Sequence, residues 1–128
     1  MVQIIQPEGL MDTRQRGYSQ ARIQNGELYI SGIASREGDW VAYGDDIETQ
    51  TRRVFAILER VLTAVDRDLS DVAKVTTYLT EMRRDHDAYL EVWNEVFEEG
   101  PYPCHTLLGI DELAVEGFLV EVDAEVPL

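Results

Sequence analysis

Phe118-Leu119-Val120-Glu121-Val122-Asp123-Ala124-Glu125-Val126 decides the fold. Side chains of a strand point alternately to its two faces. Phe118, Val120, Val122, Ala124 and Val126 therefore form one face, and Leu119, Glu121, Asp123 and Glu125 the other. One side is made for burial and the other carries three carboxylates, so this strand belongs to a sheet with one covered and one polar face.

The covering elements are legible upstream. Ile47, Thr51, Val54, Phe55, Leu58, Val61, Leu62 and Val65 recur at helical spacing, a single apolar stripe. Asp45 followed by Glu48 predicts a capping box at its start, with both acids at the positive end of the helix dipole. Tyr89, Leu90, Trp93, Val96 and Phe97 mark a second amphipathic helix, with Gly100-Pro101 as its stop. Between the helices, Val72 to Thr80 is β-branched and alternating, which predicts a strand. Another strand is expected from His105 to Ile110. Asn25-Gly26 suits the positive φ angles of a two-residue type I′ turn, so Ser19–Gln24 and Glu27–Ile33 pair as a hairpin. Arg36 to Asp45 reads as a loop or short irregular hairpin. The order is β-β-α-β-α-β-β: an α+β domain whose two helices cover one face of a mixed sheet. The other face, carrying Tyr, Thr and carboxylates, invites burial against another subunit.

Length and charge bound what such a domain does. The chain has 128 residues, 45% of them hydrophobic, which fits one domain over residues 1–128 with a real core. Eleven Lys and Arg stand against 25 Asp and Glu, a formal charge of −14 at pH 7. That excess disfavours phosphate backbones and anionic membranes, so neither nucleic acid nor membrane is an expected partner. The single cysteine, Cys104, closes no disulfide within the chain, and neither a signal peptide nor a membrane-length apolar run is visible. The expected location is cytoplasmic.

Few residue patterns carry chemistry by themselves. Cys104 and His105 are adjacent; in a strand they point to opposite faces and cannot share a proton. His86 and His105 are the only histidines, and neither HExxH nor CxxC occurs, so no metal is expected. Asp85-His86-Asp87 fan around a helix start and read as a solvated first turn. Glu121, Asp123 and Glu125 share one strand face at steps of about 7 Å. A solvated outer face explains them; packed at a subunit seam, one of them can act as a general base on water. Tyr18, Ser19 and Gln20 add hydrogen-bonding groups beside the first hairpin.

Six segments, in order along almost the whole chain, resemble the RidA/YjgF family, whose members are also labelled L-PSP endoribonucleases. They are Gly17-Tyr18-Ser19-Gln20-Ala21, Tyr29-Ile30-Ser31-Gly32, Asp46-Ile47-Glu48-Thr49-Gln50-Thr51, Val75-Thr76-Thr77-Tyr78-Leu79-Thr80-Glu81-Met82, Pro103-Cys104-His105-Thr106 and Leu119-Val120-Glu121-Val122-Asp123-Ala124. The resemblance implies a chorismate-mutase-like α+β fold and a homotrimer with clefts between neighbouring subunits. It also implies hydrolysis of reactive enamines and imines, such as 2-aminoacrylate, to a keto acid and ammonia, without a cofactor. By the same resemblance Glu121 orients the attacking water, Tyr18 lines the pocket with Ser31 and Gly32 nearby, and Asp123 is a second, supporting acid.

The family places an Arg, which grips the substrate carboxylate, where this chain has His105. Arg offers a permanently charged planar fork, whereas His offers at most two divergent donors and is charged only below about pH 6.5. Losing one partner of a buried charge pair costs roughly 2–5 kcal/mol, about thirty-fold to a few thousand-fold in affinity. Weak activity, or none, on small imino acids is therefore expected. Arg16-Gly17-Tyr18 in place of the usual Gly-Pro-Tyr, and Ile33 after Ser31-Gly32, point the same way. The first expectation is a divergent imine deaminase in which His105 orients or protonates the substrate and Glu121 handles water; a larger unsaturated amino acid such as an aminomuconate would fit it. The alternative is a non-catalytic trimer binding a small metabolite in the same clefts. Ribonuclease activity comes third, against the charge.

Overall fold

The computed structural model describes residues 1–128. Six strands, β1 (Val2–Ile5), β2 (Ala21–Gln24), β3 (Glu27–Ala34), β4 (Lys74–Leu79), β5 (Cys104–Gly109) and β6 (Val120–Pro127), form one sheet in the order β1-β2-β3-β6-β4-β5. Only β4 and β5 run parallel; every other neighbour is antiparallel. Two helices, α1 (Ile47–Thr63) and α2 (Met82–Val96), pack on the same face. The α+β architecture expected from the alternating last strand is the one observed. β1, which pairs with β2 at the sheet edge, was not expected: three of its four residues are exposed, so it carries no burial pattern.

Asn25 and Gly26 take φ of 54° and 73°, the left-handed pair a type I′ turn demands, and fix Gln24 opposite Glu27. That register sends Leu28 and Ile30 to the helix side. α1 is capped one residue later than expected: Asp46, not Asp45, accepts a hydrogen bond from the Thr49 amide at 3.0 Å. α1 also stops at Thr63, short of Val65. α2 starts at Met82, before its apolar stripe, and ends at Val96, ahead of the Gly100-Pro101 stop. Within it His86 and Asp87 are exposed, but Asp85 is buried and paired with Arg84 at 2.8 Å, so the expected solvated turn holds for His86 and Asp87 and not for Asp85.

The core is the layer between helices and sheet. Val54, Phe55, Leu58, Val61 and Leu62 of α1 meet Leu28, Ile33, Val122 and Val126, while Tyr89 and Trp93 of α2 cover Val75 and Leu79. At about 1.5–3 kcal/mol per large apolar side chain, this layer supplies the main drive for folding. Arg36 to Ala42 closes as a short irregular hairpin through one isolated bridge between its ends.

Candidate functional site

The uncovered sheet face gathers the polar residues by register. Thr76 lies opposite Asp123 and Tyr78 opposite Glu121, so β4 and β6 together present two carboxyls, a phenol and a hydroxyl. The Tyr78 hydroxyl donates to Asp123 Oδ2 at 3.1 Å. Asp123 is raised above its ordinary value, first by burial and then by the neighbouring Glu125, with Tyr78 and Lys74 opposing.

Glu121 sits where β3 breaks register. The ladder between β3 and β6 slips between Ile30 and Ile33, so Ser31 and Gly32 form a bulge beside Glu121, which is paired with Ala34. A Cβ added to Gly32 would lie 2.6 Å from Glu121 Oε2, so only glycine lets the carboxylate rest on the strand backbone there. Ser31 is held in the same place, donating through Oγ to the Ser19 carbonyl at 2.6 Å and through its amide to the Gln20 carbonyl at 2.9 Å. Burial raises the Glu121 pKa, Asp123 adds to the rise, and Arg36 opposes it.

Tyr18 joins this group from the loop ahead of β2, anchored by Thr13 Oγ1 donating to its carbonyl at 2.8 Å. Its phenol is raised chiefly by burial and feels the charges of Arg36 and Glu121. Its ring meets Trp40 edge-on at 6.5 Å between centroids. Arg36 is the residue that sequence reasoning missed. It is 5% exposed and donates from Nη2 to the equally buried Gln20 Oε1 at 2.9 Å, while its Nη1 finds no partner. Nothing in its spacing marked it, since it lies in a segment read as a loop or short irregular hairpin.

His105 is elsewhere. Opposed residues of a parallel pair share a face, and His105 lies opposite Val75, a core residue. It therefore faces the helices while Glu121 faces away from them, so one protomer does not bring the two together. The His105 ring stacks on Trp93 at 3.7 Å and 6°, and Nε2 lies 3.1 Å from both Thr77 Oγ1 and Tyr89 OH. Burial, helped by the Lys74 charge, lowers its pKa to about 4, so the ring is neutral at pH 7. Cys104 points to the other face and is exposed, as strand alternation requires.

None of the protomer's cavities includes Glu121 or His105; Ser31 borders a shallow one of about 240 Å3 with Ser19, Arg22, Tyr29 and Ile30. No cluster of three or more His, Cys, Asp or Glu is placed to hold a metal ion, and no helix is long and apolar enough to cross a membrane.

Known proteins share both the sequence and the fold. The profile of the family described as Endoribonuclease L-PSP matches residues 12–127. The RutC family protein YjgH of Escherichia coli (strain K12) is 32% identical over 109 residues, 84% of this chain and 82% of that protein. The RutC family protein PH0854 of Pyrococcus horikoshii is 34% identical over 110 residues, 84% of this chain and 83% of its own. The solved structure of YyfA from Yersinia pestis, a protein of the conserved Rid family, superimposes with a TM-score of 0.90 over all of both chains at 24% identity, a likeness of fold. With the profile spanning nearly the whole chain and two relatives above 30% identity, this protein belongs to the RidA/YjgF family, described as Endoribonuclease L-PSP.

Proposed function

We propose that this protein is a divergent imine and enamine deaminase, working in clefts between the subunits of a homotrimer. The observation that carries the reading is the Glu121 carboxyl seated on the Ser31-Gly32 bulge, where burial makes it more basic than a solvated glutamate. A carboxyl in that setting can take a proton from water and return it. Water adds to the C=N carbon, Glu121 accepts its proton and delivers it to nitrogen, and a carbinolamine results. The carbinolamine collapses to a carbonyl compound, releasing ammonia. Tyr18 and Asp123 bound the site, Asp123 keeping Glu121 protonatable.

His105 enters from an adjoining copy, because its face of the sheet is not that of Glu121. A ring with a pKa of about 4 does not protonate an imine at neutral pH and does not replace a guanidinium. Its role in this reading is to shape the cleft wall and offer one neutral hydrogen bond. The preferred substrate is therefore larger and less dependent on a carboxylate grip than 2-aminoacrylate. The commitment of His105 to Trp93, Thr77 and Tyr89 also favours a second reading, a trimer that binds a small metabolite without turning it over.

The test is release of ammonia and carbonyl product, in equal amounts, from imines generated in solution from several amino acids. Wild-type protein should accelerate at least one of them, and Glu121→Gln should not. No acceleration with any imine would overturn the catalytic reading and leave the binding trimer.

A further inference from the structure

The chain carries only 11 Lys and Arg residues, yet three arginines line a single cavity of about 140 Å3 beside α1. Arg53 and Arg60 stand on one face of α1 together with Ala56 and Ile57, positions three, four and seven apart, which a helix stacks along a common stripe. The Gly9–Met11 segment forms part of the rest of the wall, and Arg36 and Gly38 contribute from the irregular hairpin. No Asp or Glu lines it.

None of the three arginines is in an ion pair, although acids outnumber bases more than two to one in this chain. Arg53 donates from Nε to the Arg36 carbonyl at 3.0 Å and places its guanidinium 4.4 Å from the centre of the Tyr43 ring. Arg60 donates from Nη2 to the Glu8 carbonyl at 2.7 Å. These contacts orient the forks without pairing either of them to a carboxylate. Arg36 adds a third cation that is 5% exposed, with one nitrogen unpartnered. Gly9, at φ +84°, is kept small by Arg60, since a Cβ there would lie 2.5 Å from Nη2.

The geometry points to a binding site for a small oxyanion here, a phosphate ion or the phosphoryl group of a small metabolite. Planar guanidinium forks match the paired oxygens of phosphate, and several of them suit a doubly charged anion better than a single carboxylate. The volume sets the size, since a cavity of roughly 150 Å3 holds a guest like benzene. Phosphate fits within it and a nucleotide does not. Glu121 is not part of its lining, and Arg36 is the residue the two regions share, since its charge also acts on the Glu121 carboxyl.

Thermal melts and titration calorimetry with inorganic phosphate and with glycerol phosphate, against sodium chloride at matched ionic strength, test this. Phosphate should raise the melting temperature of the wild-type protein beyond the chloride control. Arg53→Gln and Arg60→Gln should each weaken binding about tenfold or more, the loss of a charge-assisted contact. Ala56→Glu, at an exposed helix position in the wall, should abolish binding while keeping the circular dichroism of the wild type. Response to glycerol phosphate as well as phosphate would identify the phosphoryl group of a metabolite as ligand, and response to phosphate alone the free ion. No excess over chloride, or unchanged binding in all three variants, would overturn the assignment.

Discussion

The Glu121 carboxylate lies against the backbone of Gly32, so closely that a methyl group at residue 32 would come within 2.6 Å of Oε2. Gly32→Ala should therefore push the carboxylate off the bulge without disturbing the core, which lies on the other face. A displacement of about 1 Å can cost on the order of a hundredfold in rate. Imine hydrolysis should fall by about that factor while the melting temperature stays within a few degrees of wild type.

Glu121 also makes stability depend on pH. Its folded pKa is raised above 4.5 by burial, so its contribution to stability is present below the unfolded value and is lost as pH rises through the folded one. Glu121→Gln removes that loss. The variant should melt higher than wild type at pH 7 to 8 and match it near pH 4, as scanning calorimetry across this range would show.

His105 acts with the opposite sign. Its folded pKa of about 4 lies below 6.5, so the unfolded chain binds more protons between those values. Stability from this residue is complete above pH 6.5 and falls as pH drops towards 4. In a proton NMR titration the His105 ring should change charge near pH 4, and the pH profile of hydrolysis should show no limb near 6.5 from this ring. A midpoint near 6.5 would mean that the Trp93 stack does not keep it dry.

Arginine at this position should restore the missing grip. A planar guanidinium can stack on Trp93 much as the imidazole does, while carrying a permanent charge. His105→Arg is expected to raise kcat/KM on 2-aminoacrylate-type imines by tenfold or more, the gain of one buried charge pair. Unchanged rates would show that this position does not set substrate choice.

The fold was legible where burial follows a simple period. The alternation of Val120 to Val126 and the stripe from Val54 to Leu62 each give one buried face, and each lies where that face dictates. Val2–Ile5 was missed because an exposed edge strand needs only backbone pairing, which leaves no mark in side-chain type. The cap at Asp46 rather than Asp45 turns on which of two adjacent acids faces the Thr49 amide, a matter of backbone angles. Around the site, Glu121 and Gly32 were visible as residue types, but the bulge that joins them is a register slip between two strands distant in sequence. Arg36 and its link to Gln20 arise from tertiary approach over 16 positions, and the burial of Asp85 from packing beneath α2. His105 was identified by position, yet the stack on Trp93 that makes it neutral depends on α2 crossing back over β5.

Strand register leaves Glu121 and His105 on opposite faces of one sheet, so a cleft containing both has to be built by two chains. Light scattering should first give three times the protomer mass. Glu121→Gln and His105→Ala protomers, each impaired alone, can then be co-expressed with different tags and the mixed trimers isolated. Imine hydrolysis should reappear in the mixture, because one kind of interface pairs an intact Glu121 with an intact His105. Mixed trimers as inactive as their parents, or full activity of His105→Ala by itself, would contradict the shared site.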